Sequence, residues 1–244
     1  MIFKKSIIIT IFFFSFLTFT ASAQETEDYE YTSEFIWGVT KHTNSGLIGG
    51  LILKYSKALT PNKFQTFGFE IVNVKHPKEQ RSYSTKTGNI FTFGKSNHLY
   101  SVRAQYGREF LLFKKAPQQG IQINANISGG PTLGVVAPYF VEVGPSNIPP
   151  YTQQYDPFNS EHSIENILGT GQFFQGIGKS KLNLGANIKS SLIFEFGTFK
   201  NNVTGFEAGF MVEGFPKEIV LVPLAENKAI YTSAFVTLFY GTRR

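Results

Sequence analysis

The chain of 244 residues contains no cysteine. That absence excludes a disulfide scaffold, a thiolate metal site and a cysteine nucleophile together. Long hydrophobic runs are almost missing as well. Only one approaches the length of a membrane helix, at the extreme N-terminus, and a mean hydropathy of −0.08 excludes a bundle of such helices. Charge is sparse, at 16% of residues, against the same percentage of aromatic residues. What remains is a chain rich in Gly, Asn and aromatics, of a length that suits one domain.

The single apolar run reads MIFKKSIIITIFFFSFLTFTASAQ. Lys4 and Lys5 form a basic start, Ile7 through Phe19 an apolar core, and Ala21-Ser22-Ala23 a small-x-small cleavage pattern before Gln24. Residues 1–23 are therefore expected to be a cleaved signal peptide and residues 24–244 the mature domain. An N-terminal membrane anchor is the alternative, but the core is short for a span. No cysteine follows, so a lipoprotein is excluded. Without Lys4 and Lys5 the chain keeps 21 basic against 17 acidic residues. That balance is too mild to imply a nucleic-acid partner.

The mature sequence alternates. In LNLGANIKSSLIFEF (182–196) the even positions carry Leu182, Leu184, Ile188, Leu192 and Phe194, and the odd positions Asn183, Asn187, Lys189 and Glu195. Period-2 character recurs at 31–40, 47–57, 64–75, 98–110, 120–134, 203–214 and 229–240. It is weaker in the second and eighth candidates, where Ile48, Ile52, Phe235 and Phe239 fall on the polar face. Connections are short at 58–63, 111–119 and 197–202 and long at 76–97, 135–181 and 215–228; only 41–46 breaks the rule. Eight strands with short turns on one rim and long loops on the other are the layout of an outer-membrane barrel. A soluble sandwich would also alternate. Strand length, aromatics crowding the strand ends, and Gly, Asn and Glu on the polar face favour the barrel. The expected fold is all-β: an eight-stranded antiparallel transmembrane β-barrel with short periplasmic turns, longer extracellular loops and both chain ends on the periplasmic side.

That parity aims Glu34, Lys54, Glu70, Arg103, Glu109, Lys189, Glu195, Glu207 and Glu213 into the lumen. An eight-stranded interior is only wide enough for side chains, so these charges must pair. A plugged, cross-linked lumen is the expectation, and a polar conduit the alternative. No catalytic constellation emerges. GTGQFFQGIGKSK (169–181) fails as a phosphate loop because Phe173 stands where the first glycine is required; a loop, partly helical around 161–175, is expected instead. His42, His76, His98 and His162 map to the long-loop side without ligand spacing, so neither metal nor cofactor is expected. His42 and Ser45 are the one pair that raises a lipid acyl hydrolase, and no orienting acid is identifiable beside them.

Several segments carry a resemblance: KHTNSG (41–46), VKHPKEQR (74–81), FGKSNHLY (93–100), the GG-then-PYF run (129–140), FFQGIGKSKLNLG (173–185) and NKAIYTSAFVTLFYGTRR (227–244). In this order they resemble an uncharacterised family of small outer-membrane β-barrels from Bacteroidota. The resemblance implies the same location and fold and brings no activity with it. One departure concerns the C-terminus, where Phe239-Tyr240 is followed by four residues expected to form a periplasmic overhang. Two loop motifs are candidate docking surfaces: Lys75, His76, Pro77, Lys78 and Glu79, and the Pro138-Tyr139-Phe140 run, expected to expose its aromatics. The function expected is non-enzymatic, a structural or accessory subunit of an outer-membrane protein assembly or export complex. The alternatives are a lipid-modifying enzyme acting on lipid A or phospholipid, and a free-standing surface-binding barrel. Partners expected are outer-membrane lipid, lipopolysaccharide and other outer-membrane proteins.

Overall fold

A computed structural model describes residues 31–114, 120–144, 149–172, 175–196 and 201–244. The signal peptide expected at 1–23 lies outside them, as do parts of the turns at 111–119 and 197–202. The strands are β1 (Ser33–His42), β2 (Ser45–Thr60), β3 (Lys63–Val74), β4 (Gln80–Tyr83), β5 (Ile90–Phe93), β6 (Asn97–Phe113) and β7 (Gln122–Pro138), followed by β8 (Phe140–Val143), β9 (Tyr151–Gln154), β10 (Ile167–Thr170), β11 (Lys181–Phe196), β12 (Asn202–Ile219) and β13 (Lys228–Arg243). Eight of them close a barrel in the order β1-β13-β12-β11-β7-β6-β3-β2, every pair antiparallel. These eight correspond to the eight alternating segments of the sequence.

Polarity is inside out. Phe210 and Leu184 expose 73% and 71% of their surface, whereas Glu70 exposes none. Trp37, Leu53, Phe69, Ile188 and Leu238 also face outward. A water-soluble barrel would bury these and expose the glutamates. A barrel in hydrocarbon does the reverse, since closure already satisfies its backbone groups and lipid takes the apolar face. Trp37 meets Tyr240 edge-on across β1 and β13, with ring centroids 6.1 Å apart, near the end that carries the termini.

The exceptions to alternation have a packing reason. Ile52, Phe235 and Phe239 keep their inward parity and fill lumen space between the charges. Phe239 packs with Ile36, Ile193 and Val203. Ile48 instead lies at the irregularity where the β2–β3 register shifts between Ser45 and Gly50, and it is exposed. Gly134 and Gly185 make room for an aromatic ring. A Cβ on either would stand 2.7 Å from the ring of Phe215, which lies against both strands.

The long loops fold into structure of their own. β4 and β5 form a hairpin, and β10, β8 and β9 a three-stranded sheet in that order. The partly helical segment expected around 161–175 is instead a 3-10 turn at Ser160–His162 followed by β10. Strand wins there because Ile167 is fully buried when β10 pairs with β8.

The outward face makes a direct prediction. Leu238 sits between Val39 and Phe206 on the neighbouring strands. Leu238→Arg should destabilise the lipid-embedded protein by about 2–4 kcal/mol, the cost of a cation near the bilayer midplane. Urea unfolding in lipid vesicles checks this; a cost near zero would mean that Leu238 faces water.

Candidate functional site

All nine charges assigned to the lumen by parity are buried there. Lys54 meets Glu109 at 2.8 Å and Lys189 meets Glu207 at 3.1 Å. Arg103 makes a two-pronged bond to Glu213, Nε to Oε1 at 3.0 Å and Nη2 to Oε2 at 2.9 Å, and its Nη1 lies 3.6 Å from Glu70. Amides and hydroxyls occupy remaining acceptors: Asn124 donates to Glu109 and Glu195, Ser101 to Glu213, and Ser191 to Glu207. A cavity beside Lys54, Gln105 and Lys189 holds about 10 Å³, which is the threshold for one water molecule. The lumen is a packed polar core.

Two members of this network are not evident from the alternation. Arg243, expected in a periplasmic overhang, is the last residue of β13 and pairs in register with Glu34. Its parity matches Phe239, so the side chain turns inward, where Nε meets Glu34 at 2.6 Å and Nη2 meets Glu195. The Tyr31 ring covers it, 4.1 Å from the guanidinium carbon. The four-residue overhang is therefore corrected: β13 continues through Arg243. His42 is the second. Its Nε2 lies 2.8 Å from Glu70 and its Nδ1 3.0 Å from the Ser233 hydroxyl, with the ring stacked on Phe235.

The His42–Ser45 pair is accordingly not formed through the ring. Ser45 Oγ accepts from the His42 backbone N–H and donates to the His42 carbonyl, both at 2.9 Å, which closes the β1–β2 turn. The acid missing from the sequence is Glu70, and the hydroxyl near the imidazole is Ser233. Strand closure brings β13, β1 and β3 together, which no local spacing could reveal. Among the described residues no group of three or more His, Asp or Glu side chains is arranged to hold a metal ion.

The mouth on the long-loop side is sealed by apolar side chains. Residues 220–227, between β12 and β13, fold inward so that Leu221 and Val222 join Val72, Val74, Leu99, Val136 and Phe215. Asn227 holds this plug by accepting from the Leu221 N–H and donating to the carbonyls of Val222 and Ala225.

The KHPKE motif ties the plug to the rim. Glu79 accepts from the His76 N–H at 2.9 Å and pairs with Lys95 at 2.9 Å. His76 accepts from the Lys78 N–H at Nδ1 and donates from Nε2 to the Glu226 carbonyl at 2.9 Å. Burial pushes the Lys95 ammonium down from its ordinary value, with Glu79 opposing that shift. Of the five motif residues only Pro77 and Lys78 are exposed, Lys75 and Glu79 being half-buried and His76 buried.

The Pro138-Tyr139-Phe140 run joins the barrel to a cap, formed by the β4–β5 hairpin and the β10-β8-β9 sheet around one shared core. Pro138 ends β7, Phe140 begins β8, and Tyr139 between them is buried with Phe91, Val141, Val143, Tyr155 and Ile167. Its hydroxyl accepts from the Thr92 N–H at 3.0 Å. The expectation that this run exposes both aromatics is corrected for Tyr139, because the cap needs a core and Tyr139 supplies its centre. Phe140 is half-buried at the edge of a cleft of about 470 Å³ between the cap and the outer barrel wall. Exposed apolar groups lie elsewhere on the cap: Phe158 at 78% and Tyr83 at 67%.

No protein-family model matches the sequence, and no curated protein matches it. Solved structures similar to it include Ail, the attachment invasion locus protein of Yersinia pestis, with 8% identity, 88% of this chain and 100% of that chain covered, and a TM-score of 0.40. Neisserial surface protein A matches with 9% identity over 87% of this chain and 96% of that one, at 0.38. The N-terminal β-barrel domain of Pseudomonas aeruginosa OprF matches with 11% identity over 88% and 98%, at 0.33. No residue role passes from them to this chain.

The lumen network carries a stability prediction. Arg103→Met leaves Glu70 and Glu213 without their guanidinium and should cost about 3–5 kcal/mol. The triple variant Arg103→Met, Glu70→Gln, Glu213→Gln should recover most of that loss in urea unfolding of the refolded protein. Equal loss in both variants would mean that the volume of the arginine, not its charge, is what matters.

Proposed function

We propose that the protein is a non-enzymatic, non-conducting barrel of the bacterial outer membrane and an accessory subunit of an outer-membrane protein assembly or export complex. The observation that carries the docking part is Phe158 and Tyr83, two large aromatic residues left in solvent on a cap that is otherwise folded around its own core. They lie on the cap rather than on the barrel wall, so lipid contact does not account for them, and exposed aromatics of this kind anchor protein interfaces. Pro77, Lys78 and Phe140 remain docking candidates at the rim of the same cap. The outward apolar belt supports the membrane location, with outer-membrane lipid and lipopolysaccharide as its surroundings. The packed lumen supports the non-conducting reading.

A second reading has one observation in its favour. Ser233, His42 and Glu70 form a hydrogen-bonded line of hydroxyl, imidazole and carboxylate, the sequence of groups that activates an acyl-transfer nucleophile. Full burial of His42 and Glu70 within the ion network favours a structural role instead. Ser233→Ala separates the two: an unchanged lipid A and phospholipid profile in the mutant strain removes the hydrolase.

Docking is tested by solubilising a C-terminally tagged chain in mild detergent and identifying stoichiometric partners by mass spectrometry. A photocrosslinker at position 158 should join the chain to an outer-membrane protein, and Phe158→Glu should release that protein while leaving heat-modifiable gel mobility intact. A clean monomer without crosslinks would sink the subunit reading.

A further inference from the structure

The cleft between cap and barrel has an inner wall made of outward-facing side chains. Asn73 of β3, with His98 and Tyr100 of β6, stand on the strands that carry the apolar belt lower down. Along β3 the outward positions run Phe67, Phe69, Ile71 and then Asn73; along β6 they run Tyr106, Ala104, Val102, Tyr100 and His98. The cleft therefore opens where hydrocarbon-facing surface gives way to polar surface. Its outer lip is Arg81 of the β4–β5 hairpin and Gln172 beyond β10.

The lining has the chemistry of a sugar site. His98 stacks against Tyr100, with ring centroids 5.9 Å apart, and meets Tyr139 edge-on at 5.2 Å, so aromatic rings are held in place at the wall. Asn73 Oδ1 and His98 Nδ1 are buried and have no hydrogen-bond partner among the described residues. Buried polar atoms are seldom left unpaired without a reason. The exposed Arg81 guanidinium makes no ion pair among the described residues, and Lys179 lies over the Phe140 ring at 5.9 Å. Fixed aromatic faces, amides, unpaired polar atoms and the Arg81 guanidinium suit a phosphorylated saccharide. A volume of about 470 Å³ lies within the ordinary range for ligand pockets.

We propose that this cleft binds the phosphorylated sugar head group of a membrane glycolipid, whose acyl chains run down the apolar wall of β3 and β6. The assignment rests on the membrane reading above, because continuity of the cleft with the belt is what selects a lipid over a free sugar. Asn73 supplies an acceptor to a sugar hydroxyl, Arg81 faces the phosphate, and Tyr100 packs against the sugar face.

The test uses the full chain, folded in detergent micelles, with purified lipid A as probe and phosphatidylglycerol as the anionic control, read by native mass spectrometry. Heat-modifiable mobility is measured on the same preparations, and sedimentation with the membrane fraction on the cells that express the chain, before detergent is added. Lipid A should bind in preference to phosphatidylglycerol, and Asn73→Leu and Arg81→Ala should each weaken it about tenfold, the scale of one lost polar contact. Ile164→Ala, exposed elsewhere on the cap and outside the cleft, should leave binding unchanged. Equal binding by all variants would mean annular lipid and overturn the site, as would no preference over phosphatidylglycerol. Full competition by the free phosphorylated disaccharide, at the same affinity as lipid A, would overturn the lipid assignment. Loss of membrane sedimentation by the wild type would overturn the membrane reading itself, whatever the probe does.

Discussion

The structure depends on answering each buried charge inside a tube that side chains fill almost completely. Glu34, Glu70, Glu109, Glu195, Glu207 and Glu213 all point inward, and an unpaired carboxylate in such a place is costly. Lys54 and Lys189 each answer one carboxylate, while Arg103 and Arg243 each answer two. The division follows from chemistry. A guanidinium offers five donors in a plane and can span carboxylates on different strands, whereas an ammonium acts as a point charge. Arg243 joins Glu34 on β1 to Glu195 on β11 and so fastens two strands that are not paired with each other.

Beyond the filled lumen, the long loops build an ordered structure of their own. Three strands of only four residues each depend on a packed apolar face for their stability. They are held because the chain passes from β7 to β8 with only Tyr139 between, so the barrel strand delivers the cap strand at a fixed angle. Tyr139 then packs into the cap core and accepts from Thr92 of the hairpin. At the mouth the Glu79–Lys95 pair and the His76 contact to Glu226 bind three loop segments together. Rigidity of this kind suits recognition, since a pre-ordered surface loses less freedom on binding.

Much of the barrel was legible in the sequence because a strand has a period of two. Parity alone brought Glu34, Lys54, Glu70, Arg103, Glu109, Lys189, Glu195, Glu207 and Glu213 to the inner face. Which charge meets which was not legible, because partners such as Arg103 and Glu213 are set by barrel closure and strand tilt. Arg243 was missed for another reason: a terminal GTRR lacks apolar residues, so nothing in its pattern continues a strand, yet the partner strand β1 does continue and holds it. The loops were least legible. PYF reads as an exposed tip because it stands just beyond the fifth alternating segment, at the start of the long loop, and only the later arrival of Val143, Tyr155 and Ile167 turns Tyr139 into a core residue. For the same reason KHPKE gave no sign that His76 would meet a carbonyl 150 residues away.

The cap also makes the rim lopsided, and this fixes where hydrocarbon must end. The β1–β2 link is only Thr43 and Asn44, and β1 stops pairing with β13 at His42 and Phe235. Residues 228–233 of β13 therefore have no β1 residue opposite them, and backbone groups at a bare edge are not tolerated in lipid. Lys41, outward at this level, reaches up to the carbonyls of Ser45 and Gly46, as a lysine near an interface does. Hydrocarbon must stop below that edge on one side of the barrel. On the other side the outward positions turn polar at Asn73 and His98, beneath the cap. Backbone satisfaction on one side and side-chain character on the other each mark where hydrocarbon ends. Any occupant of the cleft above it meets apolar wall below and amides, rings and cations at its own level, which is the environment of an amphiphile rather than of a wholly polar solute.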